Sequence, residues 1–100
     1  MLIRVTRAAT TLEAAADLKR FKLVVEDGLA GPALAAALGE AGRLEGEHVW
    51  VSPDWLRAAS GLAADPDWTA GFAQMVGFAA KQGWVNDAGA IRAHIERPAA

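Results

Sequence analysis

Thr10-Thr11-Leu12-Glu13 and, further along the same stretch, Phe21-Lys22-Leu23-Val24-Val25-Glu26-Asp27-Gly28 are the two ends of the segment whose reading decides the fold. Read as a helix, the Thr10 hydroxyl can accept from the amide three residues on while Glu13 reaches back, which is the capping-box arrangement. Ala14, Leu18, Phe21 and Val25 follow at helical spacing, and Gly28 can take the left-handed conformation that ends a helix. Read as a strand, Phe21, Leu23 and Val25 alternate with Lys22 and Glu26 and stop at the Asp27-Gly28 turn. One helix over 11–27 is the expectation, because a switch to strand after Arg20 would leave no residues for a connection. A strand over 21–26 is the alternative.

On the amino-terminal side, Met1 to Thr6 alternates well enough to predict a short strand with Ile3 and Val5 on one face. On the other side, Gly31-Pro32 sets a helix start, with Leu34, Leu38 and Ala41 on one face until Gly42. His48-Val49-Trp50-Val51 is β-branched and aromatic and reads as a second strand, the expected partner of Met1 to Thr6. Ser52-Pro53-Asp54 opens a short helix that turns Trp55, Leu56 and Ala59 inward and stops at Gly61. Asp65-Pro66-Asp67 repeats that pattern and starts a helix through Gln82, on which Trp68, Phe72, Met75, Val76 and Ala79 form an apolar stripe. Trp84-Val85 leads to a last helix capped by Asp87, with Ile91 and Ile95 inward and Pro98 at its end. The sum is a mainly α chain of about five helices with a short two-stranded antiparallel β-ribbon, as a single domain over 1–100. An α+β fold with a third strand at 21–26 is the alternative.

With 100 residues, 53% of them hydrophobic and 22% charged, the composition fits one small domain, and the absence of cysteine removes disulfides and thiolate metal sites. The longest nearly apolar run, Leu29 to Gly39, contains Gly31 and Pro32 and falls short of the roughly 20 residues that cross a bilayer, so no membrane span is expected. The first seven residues lack the apolar core of a secretion signal, which makes a cytoplasmic address the expectation. Abundant alanine and a preference for Arg over Lys match the codon bias of a GC-rich bacterial genome. Residues 1–22 hold Arg4, Arg7, Lys19, Arg20 and Lys22 against Glu13 and Asp17, yet the chain as a whole carries a net charge of -2. Nucleic-acid domains usually show an overall basic excess, so nucleic acid is an unlikely partner.

His48 and His94 are the candidate acid-base groups, since histidine is the side chain that titrates nearest neutrality. Glu45, Glu47 and Glu96 stand near them in sequence, but the spacing is not that of a metal motif, and no metal or other cofactor is expected. Asp65 and Asp67 are explained by helix capping, and Gly28-Leu29-Ala30-Gly31 lacks both the lysine of a nucleotide loop and the glycine repeat of a dinucleotide turn. Trp50, Trp55, Trp68 and Trp84 are the candidate ligand-binding residues. Grouped around a void they would wall a pocket for a flat hydrophobic molecule, and packed together they would be core, which their phase favours.

Two functions follow as expectations. The first is a non-catalytic helical interaction or accessory module that self-associates as a homodimer or serves a larger protein. Behind the aromatic stripe of the Pro66–Gln82 helix lie Ala70, Ala73, Gly77 and Ala80, a smooth ridge that a second copy can approach closely across a two-fold axis. Within the chain, the expected helix over 11–27 could cover the same ridge. The second function is a small-molecule-binding protein or minor enzyme with a tryptophan-lined hydrophobic pocket and His48 or His94 as acid-base group.

Overall fold

The computed structural model describes residues 1–98. Strands β1 (Leu2–Val5), β2 (Thr10–Glu13) and β3 (Lys22–Val25) are followed by helix α1 (Gly31–Leu38), a 3-10 turn over Gly39–Ala41, and strands β4 (Gly42–Glu45) and β5 (His48–Val51). Helices α2 (Pro53–Ser60) and α3 (Pro66–Lys81) and strand β6 (Ile91–Glu96) complete the order. The strands form one mixed sheet in the order β2-β1-β3-β6-β5-β4, with β1, β3 and β6 parallel and the remaining pairs antiparallel.

This corrects the mainly α reading with five helices: the described residues hold three α-helices and a six-stranded sheet. The two strands expected to pair as a ribbon are both present, but β1 lies between β2 and β3 while β5 lies between β6 and β4. Nor does a helix run over 11–27. Glu13 ion-pairs across the sheet with Arg4, Nε to Oε2 at 2.6 Å, instead of reaching back to cap, and that guanidinium holds its carboxyl below the usual range. The Thr10 hydroxyl donates to the Ala37 carbonyl of α1 at 2.7 Å. The missing connection is supplied by 14–21, which forms turns: Ala14 adopts a positive φ of 50°, and the Asp17 amide bonds back to its carbonyl at 2.9 Å. The strand of the alternative reading is β3, with Leu23 and Val25 buried.

The segment read as a last helix is β6. Ile91 and Ile95 share a face at helical spacing and equally at strand spacing, and it is the buried Ala93 between them, flanked by exposed Arg92 and His94, that separates the two. By contrast α2 and α3 stand where their caps place them. The Ser52 hydroxyl accepts from the Trp55 amide, and Asp65 accepts from the amides of Asp67 and Trp68.

Alternate residues of the four inner strands, among them Ile3, Leu23, Ile95 and Val49, point to one face and join Leu34, Leu56, Trp68 and Phe72 of the helices in a single core. The opposite face carries Arg4, Val24, His94, His48 and Trp50, all half-buried or exposed. Pairing between β3 and β6 is short, Leu23 with Ile95 and Val24 with Glu96. The first half of β6 is therefore held by β5 on one side and is faced on the other by 18–21 instead of by β3, which leaves a wedge in the sheet.

Candidate functional site

The wedge is a cavity of about 570 Å³, within the ordinary range of small-molecule sites. One wall is the turn segment with Leu18, Lys19, Arg20 and Phe21; the other is Ile91 to His94 of β6 with His48 of the neighbouring strand. Met75, Phe78 and Ala79 of α3 form the floor, and Trp84 closes one end.

Each wall is placed by specific contacts. The Ala15 carbonyl accepts from Trp68 Nε1 at 2.8 Å, and the backbone nitrogen of Met1 donates to the Asp17 carbonyl and, at 2.9 Å, to that of Arg20. Leu18 lies directly on Gly71 of α3, where a Cβ would come within 2.6 Å of its Cδ1. Trp84 is set by its carbonyl, which accepts from the Arg92 amide at 2.7 Å, and by an antiparallel bridge between Val85 and Ile91. Strand alternation then decides which side chains of β6 face the core and which face outward: Ile91 and Ala93 go in, Arg92 and His94 go out.

Phe78 and Trp84 are, among the described residues, the large hydrophobic side chains left most exposed, at 58% and 37%. They meet edge to face with ring centroids 6.1 Å apart. His48 and His94 are direct partners in the antiparallel register of β5 and β6, and their rings lie 5.5 Å apart in an edge contact. Lys19, Arg20 and Arg92 have no ion-pair partner among the described residues, and no carboxylate lines the cavity. Three acids near the cavity in sequence have partners of their own. Glu45 accepts from Trp50 Nε1 at 3.1 Å, Glu96 lies 4.0 Å from Lys22 Nζ, and Asp17 accepts from the Lys19 amide at 3.2 Å.

The residues singled out in the sequence fall in different places. His48 and His94, 46 positions apart, are brought together on the face of the sheet opposite the core. The four tryptophans do not share a void. Trp68 is sealed in the core and stacked on Phe72 at 4.9 Å, Trp55 is half-buried against the core, and Trp50 lies on the outer face of β5. Trp84 alone of the four lines the cavity. Ala70, Ala73, Gly77 and Ala80 are exposed, and a Cβ built on Gly77 meets nothing within 4 Å. Phe78 and Arg92 were not singled out in the sequence, Phe21 was read only as part of an apolar face, and Lys19 and Arg20 were named only within the basic run of residues 1–22. Phe78 had a legible signal, as a large aromatic lying off the stripe of its own helix.

The described residues contain no group of three or more His, Asp or Glu side chains able to hold a metal ion, and no helix long and apolar enough to cross a membrane. No protein family, curated protein or solved structure matches the chain.

Proposed function

We propose that the chain is a small-molecule-binding domain whose ligand occupies the wedge between the first half of β6 and residues 18–21. The observation that carries this reading is the position of Phe78 and Trp84: the large hydrophobic side chains left most exposed among the described residues stand together in the lining of one cavity. Exposed aromatic surface gathered at a concave site is stabilised when a ligand covers it. Titration with N-phenyl-1-naphthylamine, a neutral apolar fluorophore, tests the reading. Saturable binding at a single site is expected, with Phe78→Ser or Trp84→Ser weakening it about tenfold. Absence of saturable binding, or affinity indifferent to both substitutions, overturns it.

Self-association is a second reading, supported by the exposure of Ala70, Ala73, Gly77 and Ala80. The helix that could have covered them from within is absent, and the segment is strand and turn. On this reading α3 meets the same helix of a second copy, and light scattering of the chain gives a dimer that Gly77→Leu converts to monomer. A wild-type chain that stays monomeric at high concentration removes this reading and leaves the cavity proposal standing.

A further inference from the structure

Resting on the ligand-binding reading above, we infer that the cavity takes an amphipathic anion: a molecule with an apolar, preferably aromatic body and one carboxylate, sulfonate or comparable head. The body is specified by the floor, where Met75, Phe78 and Ala79 offer no hydrogen-bonding side-chain group other than a thioether. The head is specified by the charges of the rim. Three cationic residues, Lys19, Arg20 and Arg92, line one cavity of a chain whose net charge is -2, and no acid lines that cavity.

Chance placement would be expected to mix signs, because acidic residues outnumber basic ones, 12 to 10. On the sheet, alternation produces one part of this segregation: Arg92 and His94 leave β6 on the same face, and His48 stands beside His94 across the ladder. The turn segment produces the rest, since Lys19 and Arg20 precede Phe21 on the opposite wall. Both imidazoles can donate an N–H, so the rim offers ammonium, guanidinium and imidazole donors with no competing carboxylate acceptor. An anionic head seated between the walls gains charge-assisted hydrogen bonds while its body covers Phe78 and Trp84. A neutral ligand of the same shape gains the second contribution alone.

The experiment compares two probes of similar ring structure on the whole chain: 8-anilinonaphthalene-1-sulfonate, which is anionic, and N-phenyl-1-naphthylamine, which is neutral. The expected result is tighter binding of the sulfonate by about tenfold or more at low salt, narrowing as salt screens the rim. In the double variant Arg20→Gln/Arg92→Gln, sulfonate affinity falls about tenfold while the neutral probe keeps its own. Decanoate displaces the sulfonate, and decanol does so much less well. In amide NMR spectra, the resonances of residues 91–94 and the Trp84 indole shift on binding, which ties the signal to the folded chain and to this cavity. Equal affinity for the two probes, or sulfonate binding unchanged in the double variant, overturns the inference and leaves the ligand-binding reading intact. Failure of both probes to bind overturns both.

Discussion

In the first half of α3, Trp68 and Phe72 are 5% and 2% exposed, whereas in its last turns Phe78 is 58% exposed on the same uninterrupted helix. Phe78 lies off the stripe on which Ala79 of the same turns stays buried, and what the rest of the chain lays on each half adds to the difference. Over the first half, the turn segment is fastened by Trp68 Nε1 to Ala15 and by Leu18 on Gly71, and α2 adds the Arg57 guanidinium 5.2 Å from the centre of the Phe72 ring. Over the second half β3 has already parted from β6, and the covering strand that would complete the layer is missing. A helix buried along its length makes core; a helix covered along part of it makes core at one end and a binding wall at the other.

The sharpest way to break this comparison is to truncate one aromatic from each half. Phe72→Ala should cost about 3–5 kcal/mol in denaturant melts, because it opens a void in a core that cannot fully collapse. Phe78→Ser should cost less than about 1 kcal/mol, the value of one aromatic pair at the surface, while removing much of the binding of the neutral probe. Equal destabilisation by the two substitutions would show that the second half is packed as tightly as the first, and that no wedge stands open in solution.

The same contrast explains what was legible in the sequence. Local signals were read correctly where the structure uses them locally: Ser52 and Asp65 cap α2 and α3, and the stripe from Trp68 to Ala79 faces the core. Readings failed where a local signal is overridden by a partner far along the chain. Thr10 and Glu13 have the residue types and spacing of a helix cap, but their side chains bond to Ala37 and Arg4, and nothing within the segment announces either. Ile91 and Ile95 fit both periods, and the choice is made by Val49 and Val51 pairing alongside. Since the cavity lies where β3 and β6 separate, it could not be read before both strands were known. His48, His94 and Trp84 were the parts of it picked out in advance, and the pairing of the histidines depends on the register of two strands of which one was read as helix.

The smallest expected effect separates the halves by two glycines of α3. Both sit in a helix interior, where alanine is favoured by about 0.5–1 kcal/mol because glycine loses more backbone freedom on folding. At Gly77 a methyl group projects into open space, so Gly77→Ala should raise stability by that amount. At Gly71 the same methyl group comes within 2.6 Å of Leu18 Cδ1, and the propensity gain is offset by displacement of the side chain that anchors the turn. Gly71→Ala should therefore be neutral or destabilising in melts. It should also weaken the anionic probe, since Leu18 precedes Lys19 and Arg20 on the cavity wall. Pairing it with Leu18→Ala completes the argument: with the leucine shortened, the alanine at 71 should recover its helical advantage, and the two substitutions should be strongly non-additive. If Gly71→Ala and Gly77→Ala stabilise the chain equally and leave probe affinity alone, Leu18 does not rest on α3, and the closed half of the comparison has lost the contact that distinguishes it.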